Sequence, residues 1–245
     1  MFKLNYVTTG SQGNCCLIET DDVKFLIDLG IPPTPFKRQI KDFSSISTLD
    51  FILITHEHGD HIFGAKKIVD KYKIPCYLSK GTYENSDLKD LNNYLVNIMK
   101  PNKKYTIEGL TILPFEVDHD AEEPLGFLIK NKAGEKLLFV ADCGNFDFEV
   151  DADIYAVELN YMEEVVENVE VEEAYKYKRV QGEYGHAGME KTIEFAKTNP
   201  DKEYIFHHLS RRSIDMEKLI ERLDAEKIKY KIAENGKSFK FNSVQ

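Results

Sequence analysis

The chain has 245 residues, 42% of them hydrophobic and 30% charged, with a formal net charge of −10. That length buries a sizeable core as one large domain or two small ones. The acidic balance argues against nucleic-acid affinity carried by a broad basic surface, and leaves room for a local basic patch or a small anionic substrate held by metals.

Residues 2–8 read as a strand, too short and too polar for a signal peptide. Thr9-Gly10-Ser11-Gln12-Gly13-Asn14 follows as a turn. Strands over 15–20 and 23–29 then form a hairpin around Asp21-Asp22. The second of them closes on Leu26-Ile27-Asp28-Leu29-Gly30, with an acidic residue at the end of an apolar run. Pro32-Pro33 marks a loop, and 35–43 a short helix. A strand over 49–54 runs into Thr55-His56-Glu57-His58-Gly59-Asp60-His61. The spacing of Ile62, Ala65, Ile68, Val69 and Tyr72 predicts a helix over 62–72. A short strand over 76–79 and a helix over 88–99, stopped by Pro101, complete the first half. Strands over 110–117, 125–130, 137–140 and 154–159 come next, then a strongly acidic helix over 163–175, read as a solvated face. The chain closes as helix, strand, helix, strand over 189–197, 204–209, 215–223 and 229–233. Strand-rich halves punctuated by helices predict two packed sheets with helices outside. No apolar run approaches a membrane span of about 18 residues. Cys15, Cys16, Cys76 and Cys143 form no CxxC pair, so a reducing, cytoplasmic location is expected.

The chemistry concentrates in the loop after the strand at 49–54. Histidines contribute little to a loop's stability, yet His56, His58 and His61 stand there with Asp60. Imidazoles and a carboxylate at this spacing suit divalent cations. Later strands end in further donors: His119, Asp142 and His208. The roles divide naturally. His56, His58 and His119 hold one cation, Asp60, His61 and His208 the other, and Asp142, with two oxygens, bridges them. Cations about 3.5–4 Å apart share a hydroxide and clamp both oxygens of a displacement. Asp28 is placed behind the ligands, accepting from a ligand histidine and fixing its tautomer. Neighbours on a strand face opposite ways, so His208 is chosen over His207 as the residue that reaches the metals. Asp142 is preferred to Cys143 because it directly follows its strand. His186, in Tyr184-Gly185-His186-Ala187-Gly188, is expected to protonate a leaving group or to bind a phosphate oxygen. Arg179, Arg211 and Arg212 offer guanidinium forks to phosphate, with ordinary surface charge as the competing reading of the last two.

In this order, Asp28, the His-x-His-x-Asp-His cluster, His119, Asp142 and His208 resemble the five motifs of the metallo-β-lactamase superfamily. The resemblance implies an α/β fold, a four-layer αββα sandwich with a dimetal site at one edge, over a single hydrolase domain spanning 1–245. The stretches Gly10-Ser11-Gln12-Gly13-Asn14-Cys15, His119-Asp120-Ala121 with Pro124 and Gly126, Glu158-Leu159-Asn160, Gly185-His186 and His208-Leu209-Ser210 are similar to the WalJ-type branch of phosphodiesterases, whose members act as metal-dependent 5′-to-3′ DNA exonucleases. The chain departs from that branch at Ala187-Gly188-Met189, where Leu-Ser-Asn is usual. It departs again at Arg211-Arg212-Ser213, where an Asn is usual, and at Met162, where an Asp is usual. All three departures lie on the substrate side.

The resemblance implies two divalent cations, Zn²⁺ or Mn²⁺, and a phosphodiester substrate. DNA is the first expectation, with Asp60 and His186 in catalysis and Asn160, Arg179, Arg211 and Arg212 toward the substrate. A cyclic mononucleotide or other small nucleotide is the alternative, favoured by the acidic charge and by phage enzymes of similar size and motifs. A thioester or lactam hydrolase and a catalytically silent binding module rank lower. The interval from Asp142 to His208 is too short for the extra cap domain of larger superfamily nucleases, and a homodimer without membrane attachment is expected.

Overall fold

In the computed structural model, which describes residues 1–166 and 185–241, two seven-stranded sheets stack face to face. The first, in spatial order, holds β14 (Ser238–Phe241), β1 (Phe2–Thr8), β2 (Cys15–Glu19), β3 (Lys24–Ile27), β4 (Phe51–Leu53), β5 (Cys76–Leu78) and β6 (Val96–Ile98). The second holds β13 (Lys229–Ile232), β12 (Glu203–His207), β11 (Ile154–Glu158), β10 (Lys136–Phe139), β9 (Leu125–Lys130), β8 (Leu110–Glu116) and β7 (Tyr105–Ile107). Strands β3 to β6 run parallel, as do β10 to β13, and the other neighbours are antiparallel.

Side chains on a strand alternate between faces, and here both faces are covered, so the strands read as continuous apolar runs. In β3 and β4, Phe25, Ile27, Phe51 and Leu53 pack between the sheets, against Phe127, Leu137 and Phe139 of the second. Leu26 and Ile52 turn outward onto an outer layer that includes α1 (Pro33–Gln39), α2 (Gly59–Ile62), α3 (Ala65–Tyr72) and α4 (Lys80–Glu84). On the other side lie α5 (Glu163–Val166), α6 (Met189–Thr198) and α7 (Met216–Ala225); Ile193, Ala196, Leu219 and Leu223 meet Leu138, Tyr155, Tyr204 and Phe206. Each such side chain, fully buried, contributes on the order of 1.5–3 kcal/mol against leaving it in water. The result is the expected αββα order.

Three local expectations need correction. The helix over 88–99 does not form: 3₁₀ turns at Asp87–Asp90 and Asn93–Leu95 lead into β6, which pairs in parallel with β5. Leu88, Leu91 and Leu95 are buried at spacings that imitate a helix, and short 3₁₀ turns bury them equally well. Val96 and Ile98 then satisfy the backbone of the sheet edge. The helix over 62–72 is divided into α2 and α3 around Gly64, where a Cβ would lie 2.2 Å from the carbonyl oxygen of Ile31. The close-packed strand-end loop, not the apolar periodicity, decides that break. Strands β7 and β14 were not expected; β14 pairs antiparallel with β1. Of the acidic helix over 163–175, Glu163–Val166 is helical and residues 167–175 lie outside the described residues.

Candidate metal centre

In an open α/β sheet the loops leaving the carboxyl ends of parallel strands gather in one crevice. Asp28 follows β3, His56 to His61 follow β4, Asp142 follows β10, Glu158 ends β11 and His208 follows β12. His119 arrives from the loop after β8. Strand alternation carries through the first loop: His56 and His58 meet edge to face with ring centroids 4.7 Å apart, while Glu57 turns to accept from Glu122 N–H (2.8 Å) and so ties the loop to the one bearing His119.

Among the described residues donor atoms gather within 4.8 Å of one another in three groups: Asp142, Glu158, His186 and His208, and two that divide the expected ligands, His56, His58 and His119, and Asp60, His61, Asp142 and His208. Asp142 stands between the latter two. Its Oδ2 is 3.9 Å from His56 Nε2, 3.7 Å from His119 Nε2 and 3.3 Å from His61 Nε2, and its Oδ1 is 3.0 Å from His208 Nδ1. Asp60 Oδ2 lies 3.5 Å from both His61 Nε2 and His208 Nε2.

The histidines are held by their other nitrogen. His61 Nδ1 donates to Asp28 Oδ2 (2.7 Å), and Thr55 gives that carboxylate its N–H and its hydroxyl, both at 2.8 Å. With the Thr55 proton committed to Asp28, its oxygen accepts from His56 Nδ1 (3.0 Å). His119 Nδ1 donates to the Gly185 carbonyl (2.9 Å), and His208 Nδ1 to Glu158 Oε1 (2.7 Å). Anchoring one ring nitrogen fixes the tautomer and leaves the other as a donor to a cation. His56 Nε2 and His208 Nε2 are indeed buried with no hydrogen-bond partner among the described residues. An unpaired buried polar atom costs about 1–3 kcal/mol, which a cation at that point would offset. His61 Nε2 also faces Asn14 Nδ2 at 3.0 Å. The donor set suits a dimetal site.

The electrostatics of the donors follow the same division. Burial pushes His56 well below the usual imidazole range, with the charge of His61 adding to it, and burial also lowers His119. Burial opposes protonation of His61 and His208, but the Asp142 carboxylate, aided by Asp28 at His61 and by Asp60 and Glu158 at His208, outweighs it; His61 is raised well above its usual value and His208 to about 10. Asp142 is driven the other way: burial would raise it, and the His208 and His61 charges hold it well below the carboxylate range.

Sequence reasoning left Glu158 out of the site. It is fully buried and accepts from His186 Nδ1 (2.7 Å), His208 Nδ1 (2.7 Å), Cys143 N–H (2.9 Å), Ala187 N–H (3.1 Å) and Asn160 Nδ2 (3.1 Å). Burial would raise its carboxyl, yet the His186 charge and these donors hold it at about 2. The available signal was an acidic residue closing the apolar strand Ile154–Glu158, the same signature that singled out Asp28. The structure brings His186 and Asn160 to the centre: Asn160 Nδ2 is 3.2 Å from His208 Nδ1. Arg211 and Arg212 lie exposed on the loop after β12, and Arg179 lies outside the described residues. His207, by contrast, faces away: Tyr6 Oη lies 2.9 Å from its Nδ1, and its Nε2 donates to the Val140 carbonyl at 2.7 Å.

The family model of the β-lactamase superfamily domain matches residues 25–209, the stretch that runs from β3 to the residue after His208. The chain belongs to the metallo-β-lactamase superfamily. Within the superfamily it is similar to the exodeoxyribonuclease WalJ of Streptococcus pneumoniae, at 29% identity over 226 residues, 86% of this chain and 83% of that one. The exodeoxyribonuclease YycJ of Bacillus anthracis is 29% identical over 147 residues, 56% of this chain and 53% of that one. Among solved structures, the metallo-β-lactamase fold protein YhfI of Bacillus subtilis superposes with a TM-score of 0.79 at 16% identity, covering 98% of this chain and all of that one. The short form of human tRNase Z superposes at 0.68 and 18% identity, covering 97% and 98%. These two likenesses show the shared superfamily fold. Among the described residues no helix is long and apolar enough to cross a membrane.

Proposed function

We propose that this metal-dependent hydrolase is a dimetal phosphodiesterase acting on DNA as an exonuclease, with His56, His58 and His119 holding one cation, Asp60, His61 and His208 the second, and Asp142 both. The observation that carries hydrolysis is Asp142 standing between two groups of imidazoles whose far nitrogens are anchored. DNA rests on the similarity to WalJ, which runs through 86% of the chain. When bound, two divalent cations supply Lewis acidity and lower the pKa of a water toward neutrality.

The chain's own residues supply the rest. His186 has its Nδ1 on Glu158 and keeps its side chain 22% exposed, so its Nε2 is left to meet an oxygen of the substrate. Burial opposes its protonation, but Glu158 and Asp142 raise its pKa above the usual value, which keeps a proton ready for a leaving oxygen. Asp28 and Glu158 keep His61 and His208 in the tautomer that presents Nε2. In this reading residues 1–245 act as one hydrolase domain, with β14 closing onto β1.

The test loads purified protein with Mn²⁺ or Zn²⁺ and offers it linear 5′-phosphorylated DNA, cyclic mononucleotides, bis-p-nitrophenyl phosphate and S-lactoylglutathione. Release of mononucleotides from a DNA end is the expected result. Intact DNA with opened cyclic nucleotides overturns the choice of substrate, and turnover of the thioester alone overturns phosphodiester chemistry altogether.

A further inference from the structure

Two cavities flank the centre, and their charges differ. The larger, about 670 Å³, runs beside α2 and α3. Four carboxylates line it, Glu57, Asp70, Asp87 and Asp90, against Lys66 and Lys67. Lys66 is already committed to Asp90 at 2.7 Å and lies 4.0 Å from Asp87. That wall repels a phosphate chain. The smaller, about 310 Å³, lies between the Gly10 turn and the loop after β12. Among the described residues its lining includes Gln12, Asn160, Ser210, Arg211 and Arg212 and no Asp or Glu, in a protein of net charge −10. Among the described residues neither arginine has a carboxylate partner. The groove also opens directly on the centre: Asn160 lines it and touches His208, and the Thr9 hydroxyl at its edge accepts from His208 N–H at 3.0 Å.

We propose that this groove binds a second phosphate of the substrate, the one flanking the scissile phosphodiester, through Arg211 and Arg212. The inference rests on the phosphodiesterase reading and deepens it: the substrate carries at least two phosphates, and a cyclic mononucleotide, with one, leaves the groove empty. Paired guanidinium forks match phosphate oxygens bidentately, and Gln12 adds a neutral donor.

The first measurement needs no turnover. Labelled octathymidylate is titrated into the metal-free protein at several salt concentrations. Each phosphate contact on a single strand contributes about 0.7 to the slope of log K against log salt. Replacing Arg211→Ala and Arg212→Ala together is expected to flatten the slope by about that amount and to weaken binding about tenfold. The Arg211→Lys and Arg212→Lys pair restores most of it, and Lys67→Ala, in the other cavity, leaves the slope alone. The second measurement compares Mn²⁺-loaded enzyme on the dinucleotide TpT, which has one phosphodiester, with pTpT and TpTp. One of the phosphorylated forms is expected to be cleaved about tenfold faster, and which one tells on which side of the scissile bond the groove lies; the double alanine variant loses the ratio. A slope unchanged in that variant, no binding to lose, or equal rates on all three dinucleotides overturns the groove. Failure of wild-type enzyme to cleave either TpT or bis-p-nitrophenyl phosphate overturns the phosphodiesterase reading instead, while the salt slope still decides whether the arginines take phosphate.

Discussion

Five donors converge on the buried carboxylate of Glu158, and two of them are the imidazoles of His186 and His208. Glu158→Gln removes the charge and turns one oxygen into a donor facing donors. Breaking a buried charged network in this way costs about 3–5 kcal/mol, and loss of a ligand's orienting partner weakens metal affinity about 10- to 100-fold. Chemical denaturation and chelator competition check both effects, and a variant that keeps its stability and its metal would mean that Glu158 does not orient these imidazoles. His58→Ala is expected to abolish turnover and lower the metal content read by mass spectrometry. His186→Ala should keep both cations and slow turnover by about 10²–10⁴-fold; an unchanged rate would sink its part in proton transfer. At this scale the candidate ligands were legible because histidine and aspartate in a loop have no other work to do. Glu158 carried the same strand-end signal as Asp28, but its role as an anchor depends on donors brought by other loops, from Cys143 and Asn160 to His186 and His208.

The elements were legible wherever the apolar pattern had one physical meaning. Strands buried on both faces, such as Lys24–Ile27 and Glu203–His207, stand out as short apolar runs. The segment at 88–99 misleads because Leu88, Leu91 and Leu95 need burial rather than a helix, and the free edge of β5 claims the residues that follow. Close approaches between loops are invisible in a single sequence, and one of them sets the geometry of the site. A Cβ on Gly30 would lie 1.6 Å from the Asp60 carbonyl oxygen and 2.7 Å from the His61 nitrogen. Gly30→Ala must therefore push the loop after β4 away from the one after β3. A stability loss of about 1–3 kcal/mol is expected from the forced backbone shift, together with less than full metal loading. Intact loading of both sites in this variant would show that the loop is free to relax.

At the level of the whole molecule, each of the two proposed cation groups draws on both sheets. His56, His58, Asp60 and His61 come from the loop after β4 of the first sheet, while His119, Asp142 and His208 come from the second. A cation held by both therefore ties the sheets together at their shared edge. Ligand binding to the folded state alone stabilises by about 4 kcal/mol at a thousandfold excess over Kd. Chelation should thus lower the melting temperature, and re-addition of Zn²⁺ or Mn²⁺ should restore it; a melting curve indifferent to chelator would mean that the donors hold no structural metal. The adjacent pair His207-His208 also serves as a check on how β12 is threaded. Were β12 to slip by one residue so that His207 took the place of His208, an imidazole would still reach the cations. Phe206 would then occupy the floor, and the Tyr6 hydroxyl and the Val140 carbonyl, both satisfied by His207, would lose their partner. Cation ligation would be blind to that error, and it is the polar floor beneath the donors that proofreads the strand.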